Sequence, residues 1–283
     1  MDGSTDDGFW PALLSLRRAG DGGEGRAPHL PPAGGLDALF APLLAPPRAP
    51  DGCVVVGRLA QTLDGRIATL GGSSQWIGGR GDILHTHRLR ALCDAVVVGA
   101  ATVRHDDPLL TTREVPGPDP VRVVLDADRR LAADHRLFRQ PGPPTLLICA
   151  EDAPGARAHG LAEVLRVGRG PDGRGLSPPT VLRALAARGL TRILVEGGGV
   201  TVSRFLAAGC LDRLHLTVAP VLLGSGIPAF TLPPAARIAD GLRFAWTAHP
   251  IPPDILFDLA LDRARPGQVA VARDAAAAAA AAA

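Results

Sequence analysis

The chain has 283 residues, 46% of them hydrophobic and 20% charged, with 30 basic residues against 28 acidic ones and a formal net charge of +2. That is apolar material for one sizeable core, and so even a balance asks for neither nucleic acid nor a membrane surface. Every basic residue other than histidine is arginine and tyrosine is absent, which excludes a Walker-type phosphate loop, Schiff-base chemistry and a Tyr acid.

Residues 1–50 read as an irregular N-terminal arm rich in Gly and Pro. Its two short apolar stretches, Phe9–Leu16 and Leu36–Leu44, predict one or two short helices and no independent domain. From residue 51 to 262, strand-like runs alternate with helical patterns. Cys53–Leu59 predicts a strand and Asp82–Leu92 a helix; Ala95–Val98, Val121–Leu125 and Thr145–Cys149 predict further strands. Ser177 is placed to cap a helix, with Pro178 in its first turn and Gly189 at its left-handed end. A strand over Arg192–Val195, a helix from about Thr201 to Ala208 closed by Gly209, and a strand over Leu214–Val218 follow. Arg243–Thr247 and Ile255–Leu261 then pair as a hairpin around Pro250-Ile251-Pro252-Pro253. Residues 263–283, ending in nine alanines, form a low-complexity tail. The alternation predicts an α/β domain: a mostly parallel central sheet, helices on both faces and a C-terminal antiparallel hairpin.

The four cysteines, Cys53, Cys93, Cys149 and Cys210, form no CxxC pair, and the eight histidines include no His-x-x-x-His spacing, so no metal site is expected. No stretch reads as a secretory leader and no apolar run reaches about 18 residues. The cytoplasm is the expected location.

Ligands of open α/β sheets bind where strand ends lead into helices. Three segments occupy such places. Glu196-Gly197-Gly198-Gly199 follows Arg192–Val195; it is either a phosphate cradle at a helix start or a tight turn that only needs glycine. Gly99-Ala100-Ala101-Thr102 follows Ala95–Val98; Thr102 either serves a phosphate or caps a helix. Asp64-Gly65 is first of all a turn, and Ser73-Ser74-Gln75-Trp76 offers polar groups beside an aromatic that either stacks on a planar heterocycle or covers a core edge. Ile83, His87 and Arg90 share a helix face. An Arg there needs an anion, from a structural salt bridge or from a substrate phosphate.

In order, "LDGRIAT", "SSQWI", "HRLRALCDAVVVGAATVRHDDPLLTTR", "VRVVLDADRRL" and "ILVEGGGVTVSRFLAAGCLDRLHLTVAPVLLGSG" resemble the reductase domain of riboflavin biosynthesis. The resemblance runs from about Val54 to Leu261. It implies a dihydrofolate-reductase-like fold and NADPH-dependent reduction of 5-amino-6-(5-phosphoribosylamino)uracil to its ribitylamino product. The deaminase motifs often fused to this family, His-x-Glu and Pro-Cys-x-x-Cys, do not occur in the sequence, so a stand-alone cytoplasmic reductase, homodimeric like its relatives, is expected. By the same resemblance Ala60, Trp76, Thr102 and Asp106 contact the cofactor, and Gly198, Gly199, Val200 and Thr201 hold its pyrophosphate. Ser74, Arg90, Leu110, Arg113 and Glu196 hold the substrate, with Asp106 and Glu196 the candidate acids. The family hydroxyl after Val121–Leu125 is replaced by Ala127, leaving Arg129 and Arg130 to offer charge to a 2′-phosphate; Gln61 and His105 also depart from the pattern. The alternatives are reduction of another heterocycle on the same fold, or a non-catalytic nucleotide-binding module.

Overall fold

Runs such as Val54-Val55-Val56 and Ala95–Val98 are apolar on both sides, and such strands are stable only with both faces covered. A computed structural model describes residues 9–20, 36–170, 173, 175–261 and 263; the tail beyond residue 263 and the rest of the arm lie outside the described residues. The chain enters through α1 (Phe9–Gly20) and α2 (Leu36–Leu44), then β1 (Val54–Thr62), β2 (Arg66–Thr69), α3 (Arg80–Leu92), β3 (Ala95–Gly99) and α4 (Ala100–Asp106). It continues through β4 (Val121–Leu125), α5 (Arg136–Arg139), β5 (Thr145–Ala150), β6 (Ala158–His159), β7 (Ala162–Val167), α6 (Pro178–Ala186) and β8 (Arg192–Val195). Last come α7 (Gly199–Ala207), β9 (Arg213–Ala219), β10 (Gly226–Pro228), β11 (Ala245–Ile251) and β12 (Asp254–Ala260).

Among the described residues one ten-stranded sheet runs β11-β12-β9-β1-β8-β3-β4-β5-β7-β6. It is parallel from β9 to β7 and antiparallel at β12, β11 and β6. Alternation sorts the side chains: Val54, Val56, Val96 and Val98 face the α1–α5 side, while Val55, Val97 and Ile193 face α6 and α7. The expected α/β class is therefore the class observed. Among the described residues no helix is long and apolar enough to cross a membrane.

The structure moves several expected boundaries. The hairpin turns at Pro252-Pro253, because Pro250 and Ile251 pair within β11 opposite Ile255 and Asp254. The last helix begins at Gly199, which makes Gly199 and Val200 helical. Strands β2, β6, β7 and β10 and helix α5 carry no distinct sequence signal: all but β7 are two to four residues long, and β7 is only partly buried.

The described part of the arm is built into the core. Trp10, Leu13, Leu39, Phe40 and Leu43 share one buried cluster with Leu89 and Leu92 of α3. Phe40 is fully buried, its ring 5.5 Å from that of His85 and 6.2 Å from those of Phe9 and Trp10. Phe40→Ala is expected to cost about 3–5 kcal/mol in urea denaturation; a loss below about 1 kcal/mol would mean that α1 and α2 add little to the core.

Candidate active site

Strands β3 and β8 are parallel neighbours, Ala95 beside Ile193 and Val97 beside Val195. Their carboxyl ends therefore meet at one edge, and each leads through glycine into a helix. The two turns interlock. The Gly198 N–H donates to Thr102 Oγ1 at 3.0 Å. A Cβ on Gly197 (φ +101°) would lie 2.6 Å from that same oxygen, and one on Gly99 would lie 2.4 Å from Thr201 Oγ1. At Gly199 a Cβ would come within 2.1 Å of the Ala229 carbonyl oxygen. These contacts exclude any larger residue. Gly99 and Gly198 are the N-caps of α4 and α7, and neither helix has a side-chain cap. Thr102 is thus not the cap; it sits in the first turn of α4 and ties that turn to the next. The uncapped N–H groups at the start of α7 suit the pyrophosphate of a dinucleotide.

The turns open on a cleft of about 840 Å³, walled by Ala60, Ser74, Trp76, Arg90, Thr102, Asp106, Arg113, Gly198, Gly199, Val200 and Thr201. A smaller cavity of about 350 Å³ shares Arg90, Asp106 and Arg113 with it and adds Leu110. The tertiary fold so brings together all the residues expected at the site, with two qualifications. Glu196 stands behind Arg90 rather than on the cleft wall. Leu110, 2% exposed and with its backbone at φ 56°, belongs to the core cluster as well as to the cavity wall. Trp76 covers no core edge: it is 78% exposed at the cleft rim, with its backbone at φ 66°. Gln61 belongs to neither wall, whereas His105 lines the cleft and spends Nδ1 on the Ala101 carbonyl at 2.7 Å.

Arg90 is held on three sides. Its Nε and Nη2 donate to Glu196 Oε1 at 3.1 and 2.6 Å, and its Nη1 to the Thr111 carbonyl at 3.1 Å. A guanidinium carries five N–H donors, so two remain. The salt-bridge alternative for Arg90 is the one the fold shows, and Arg90 is also a lining residue of the cleft. Arg113 follows in the loop after Leu110. Its backbone N–H donates to His87 Nδ1 at 2.9 Å, so the loop depends on a neutral ring. Burial, with Arg90 and Arg113 nearby, pushes His87 down to about 4.

Arg129, Arg130 and the Asp64-Gly65 turn stand on neither cavity wall. The Arg129 guanidinium donates to the Pro154, Ala156 and Ala158 carbonyls at 3.0, 2.7 and 3.1 Å. Arg130 pairs with Asp128 at 3.1 Å. The Asp64-Gly65 turn is structural: the Asp64 carboxylate accepts the Thr62 hydroxyl at 2.5 Å and the Gly224 N–H at 2.6 Å.

Arg58 and Asp82, an ion pair on the cleft floor, were not anticipated. Asp82 also accepts the buried Thr217 hydroxyl at 2.7 Å. The readable signal was an Arg interrupting the apolar run Val54–Leu59, since a charge inside a buried strand must find a partner. Among the described residues no three His, Cys, Asp or Glu side chains gather as a metal site would need.

A mostly parallel α/β sheet whose glycine turns and arginines converge on one cleft defines a ligand-binding α/β domain. The chain belongs to the RibD C-terminal domain family, whose model matches residues 54–244. It is 38% identical over 176 residues to the 2,5-diamino-6-ribosylamino-4(3H)-pyrimidinone 5′-phosphate reductase of Methanothermobacter thermautotrophicus, covering 60% of this chain and 79% of that one. It is 34% identical over 210 residues to riboflavin biosynthesis protein RibD of Mycobacterium tuberculosis, covering 72% and 53%. It spans about half the length of the RibD relatives it matches. Among solved structures, the deaminase/reductase of Thermotoga maritima superposes with a TM-score of 0.62 at 28% identity over 74% of this chain and 56% of that one. The Saccharomyces riboflavin biosynthesis reductase Rib7 superposes with 0.62 at 18% identity over 80% and 99%, a likeness of fold alone.

The His87 value lies below the ordinary 6.5, so the native ring binds fewer protons than the unfolded one. Its contribution to stability is complete above about pH 6.5 and is lost as the pH falls toward 4. His87→Asn keeps an acceptor for the Arg113 N–H without titrating. Urea denaturation should show a shallower loss of stability between these pH values in the variant; equal slopes would show that His87 does not titrate in this way.

Proposed function

We propose that this chain is an NADPH-dependent reductase that opens and reduces the ribosyl group of 5-amino-6-(5-phosphoribosylamino)uracil to the ribitylamino product. The observation that carries the reading is the convergence on one cleft of the interlocked, uncapped helix start at Gly198-Gly199 with Arg90 and Arg113. A nicotinamide cofactor goes with the reductase family, and we infer that it is the 2′-phosphorylated form.

The residues fit such a group: the Gly198-Gly199 end of α7 would hold the pyrophosphate, and Ala60, Trp76, Thr102 and Asp106 the nicotinamide half. When bound, the cofactor supplies a hydride to C1 of the opened sugar. The protein's share is positioning and charge. Arg90, set by Glu196, and Arg113, set by His87, present donors to the substrate phosphate, and Ser74 lies at the rim. Asp106 lines both cavities with the Ser74 hydroxyl 3.4 Å from its carboxylate, which makes it the better-placed proton source; Glu196 acts through Arg90. The reading includes a cytoplasmic location and a homodimer; sedimentation of the purified protein tests the dimer.

A second substrate has specific support. The relative from Methanothermobacter is named for the 2,5-diamino-pyrimidinone, which retains the amino group that the uracil lacks. The reduction at the ribosyl carbon is the same for both. Purified protein should oxidise NADPH only with one of these two phosphates, and their relative kcat/KM separates them; oxidation with neither overturns the reading. Arg90→Ala should raise KM for the pyrimidine phosphate at least tenfold more than KM for NADPH. Equal effects on the two would remove Arg90 from phosphate binding.

A further inference from the structure

The smaller cavity has one wall that the sequence motifs do not reach. Beside Arg90, Arg113 and Leu110 it is lined by Arg136, the first residue of α5. Arg136 lies 23 residues after Arg113 in the chain, beyond β4. It arrives at the cavity because Asp107 anchors it. Asp107 ends α4 in the left-handed region, at φ 38°. Its Oδ1 accepts the Arg136 backbone N–H at 2.8 Å and lies 3.4 Å from His135 Nδ1. The carboxylate thus holds the Arg136 backbone and leaves the guanidinium uncommitted.

The guanidinium groups of this cavity are unequally satisfied. That of Arg90 is neutralised by Glu196. Among the described residues, Arg113 donates from its side chain only to the Thr111 hydroxyl, at 2.8 Å. Among the described residues the half-buried Arg136 side chain has no hydrogen-bond partner, and neither it nor Arg113 has a carboxylate within ion-pair distance. The two guanidinium groups share the cavity wall with the carboxylates of Asp106 and Asp107, which accept the Ser74 hydroxyl and the Arg136 N–H, and an anion between the two arginines would relieve their mutual repulsion. A phosphate monoester dianion has the charge and the acceptor oxygens to serve both.

We propose that Arg136 is a third arginine of the substrate's phosphate subsite, opposite Arg113, so that the cavity selects a phosphorylated over a phosphate-free pyrimidine. This rests on the proposed reduction of a pyrimidine ribosyl phosphate and adds to it a residue from outside the α3–α4 segment.

The test compares wild type with Arg136→Ala and with Arg136→Met, which keeps much of the aliphatic stem, after thermal unfolding confirms that the variants fold. Each variant should raise KM for the pyrimidine phosphate about tenfold, the usual size for one charge-assisted contact. The kcat should stay within about twofold and KM for NADPH unchanged. With the phosphate-free analogue, wild type and variants should be equally poor. Equal losses on both substrates, or no change in KM, overturn the proposal. If wild type reduces neither pyrimidine, the reading of the reaction fails and binding of inorganic phosphate by titration calorimetry decides the subsite separately. Affinity at least fivefold weaker in both variants sustains it, and unchanged affinity removes it.

Discussion

Two glycine turns locked against each other are the constraint on which the rest of this molecule depends. Gly197 and Gly99 each lack the Cβ that would strike the hydroxyl of the opposite threonine, Thr102 in one case and Thr201 in the other. The Gly198 N–H is bound by Thr102 Oγ1. Parallel pairing of β3 with β8 makes this possible, because it delivers both strand ends to one edge and starts α4 and α7 side by side. The open helix start, the cleft beneath it and the approach of Arg90 all follow from that edge.

Charge is handled in two ways around the cleft. Where an arginine must stay fixed, the fold surrounds it with acceptors. Glu196 and the Thr111 carbonyl hold Arg90, and Asp82 holds Arg58. Breaking such a buried pair by removing one partner commonly costs about 3–5 kcal/mol, which ties the site's geometry to the stability of the domain. Arg113 and Arg136 are instead fixed through their backbones, by His87 and Asp107, with little or nothing bound to the side chains. A guanidinium whose backbone alone is held keeps its N–H donors unspent within the protein.

Much of the site was legible before the fold was known. The strands β1, β3, β4, β5 and β8 are short apolar runs between punctuating residues, and the helices after β3 and β8 begin at glycine, so Thr102 and Gly198-Gly199 could be placed at strand ends. The periodicity of α3 already put Ile83, His87 and Arg90 on one face, and that face does line the cleft. What misled was charge. Arg129 and Arg130 stand in a loop near the strand end; Arg130 pairs with its sequence neighbour Asp128, but nothing local tells that the Arg129 guanidinium meets three carbonyls of residues 154–158. Arg58 was passed over because its partner Asp82 lies on another element.

The sequence by itself determined the class of fold, the order of the main elements and the identity of the glycines, because these follow from local periodicity and from backbone conformations that few residues tolerate. Only the tertiary structure decided that the short helices of the arm belong to the core, that Glu196 serves Arg90 instead of facing the cleft, and that Arg136 joins Arg113 at one cavity. Those outcomes depend on which side chains meet across long stretches of chain, and hydrogen bonds and ion pairs of that kind leave no period in the sequence.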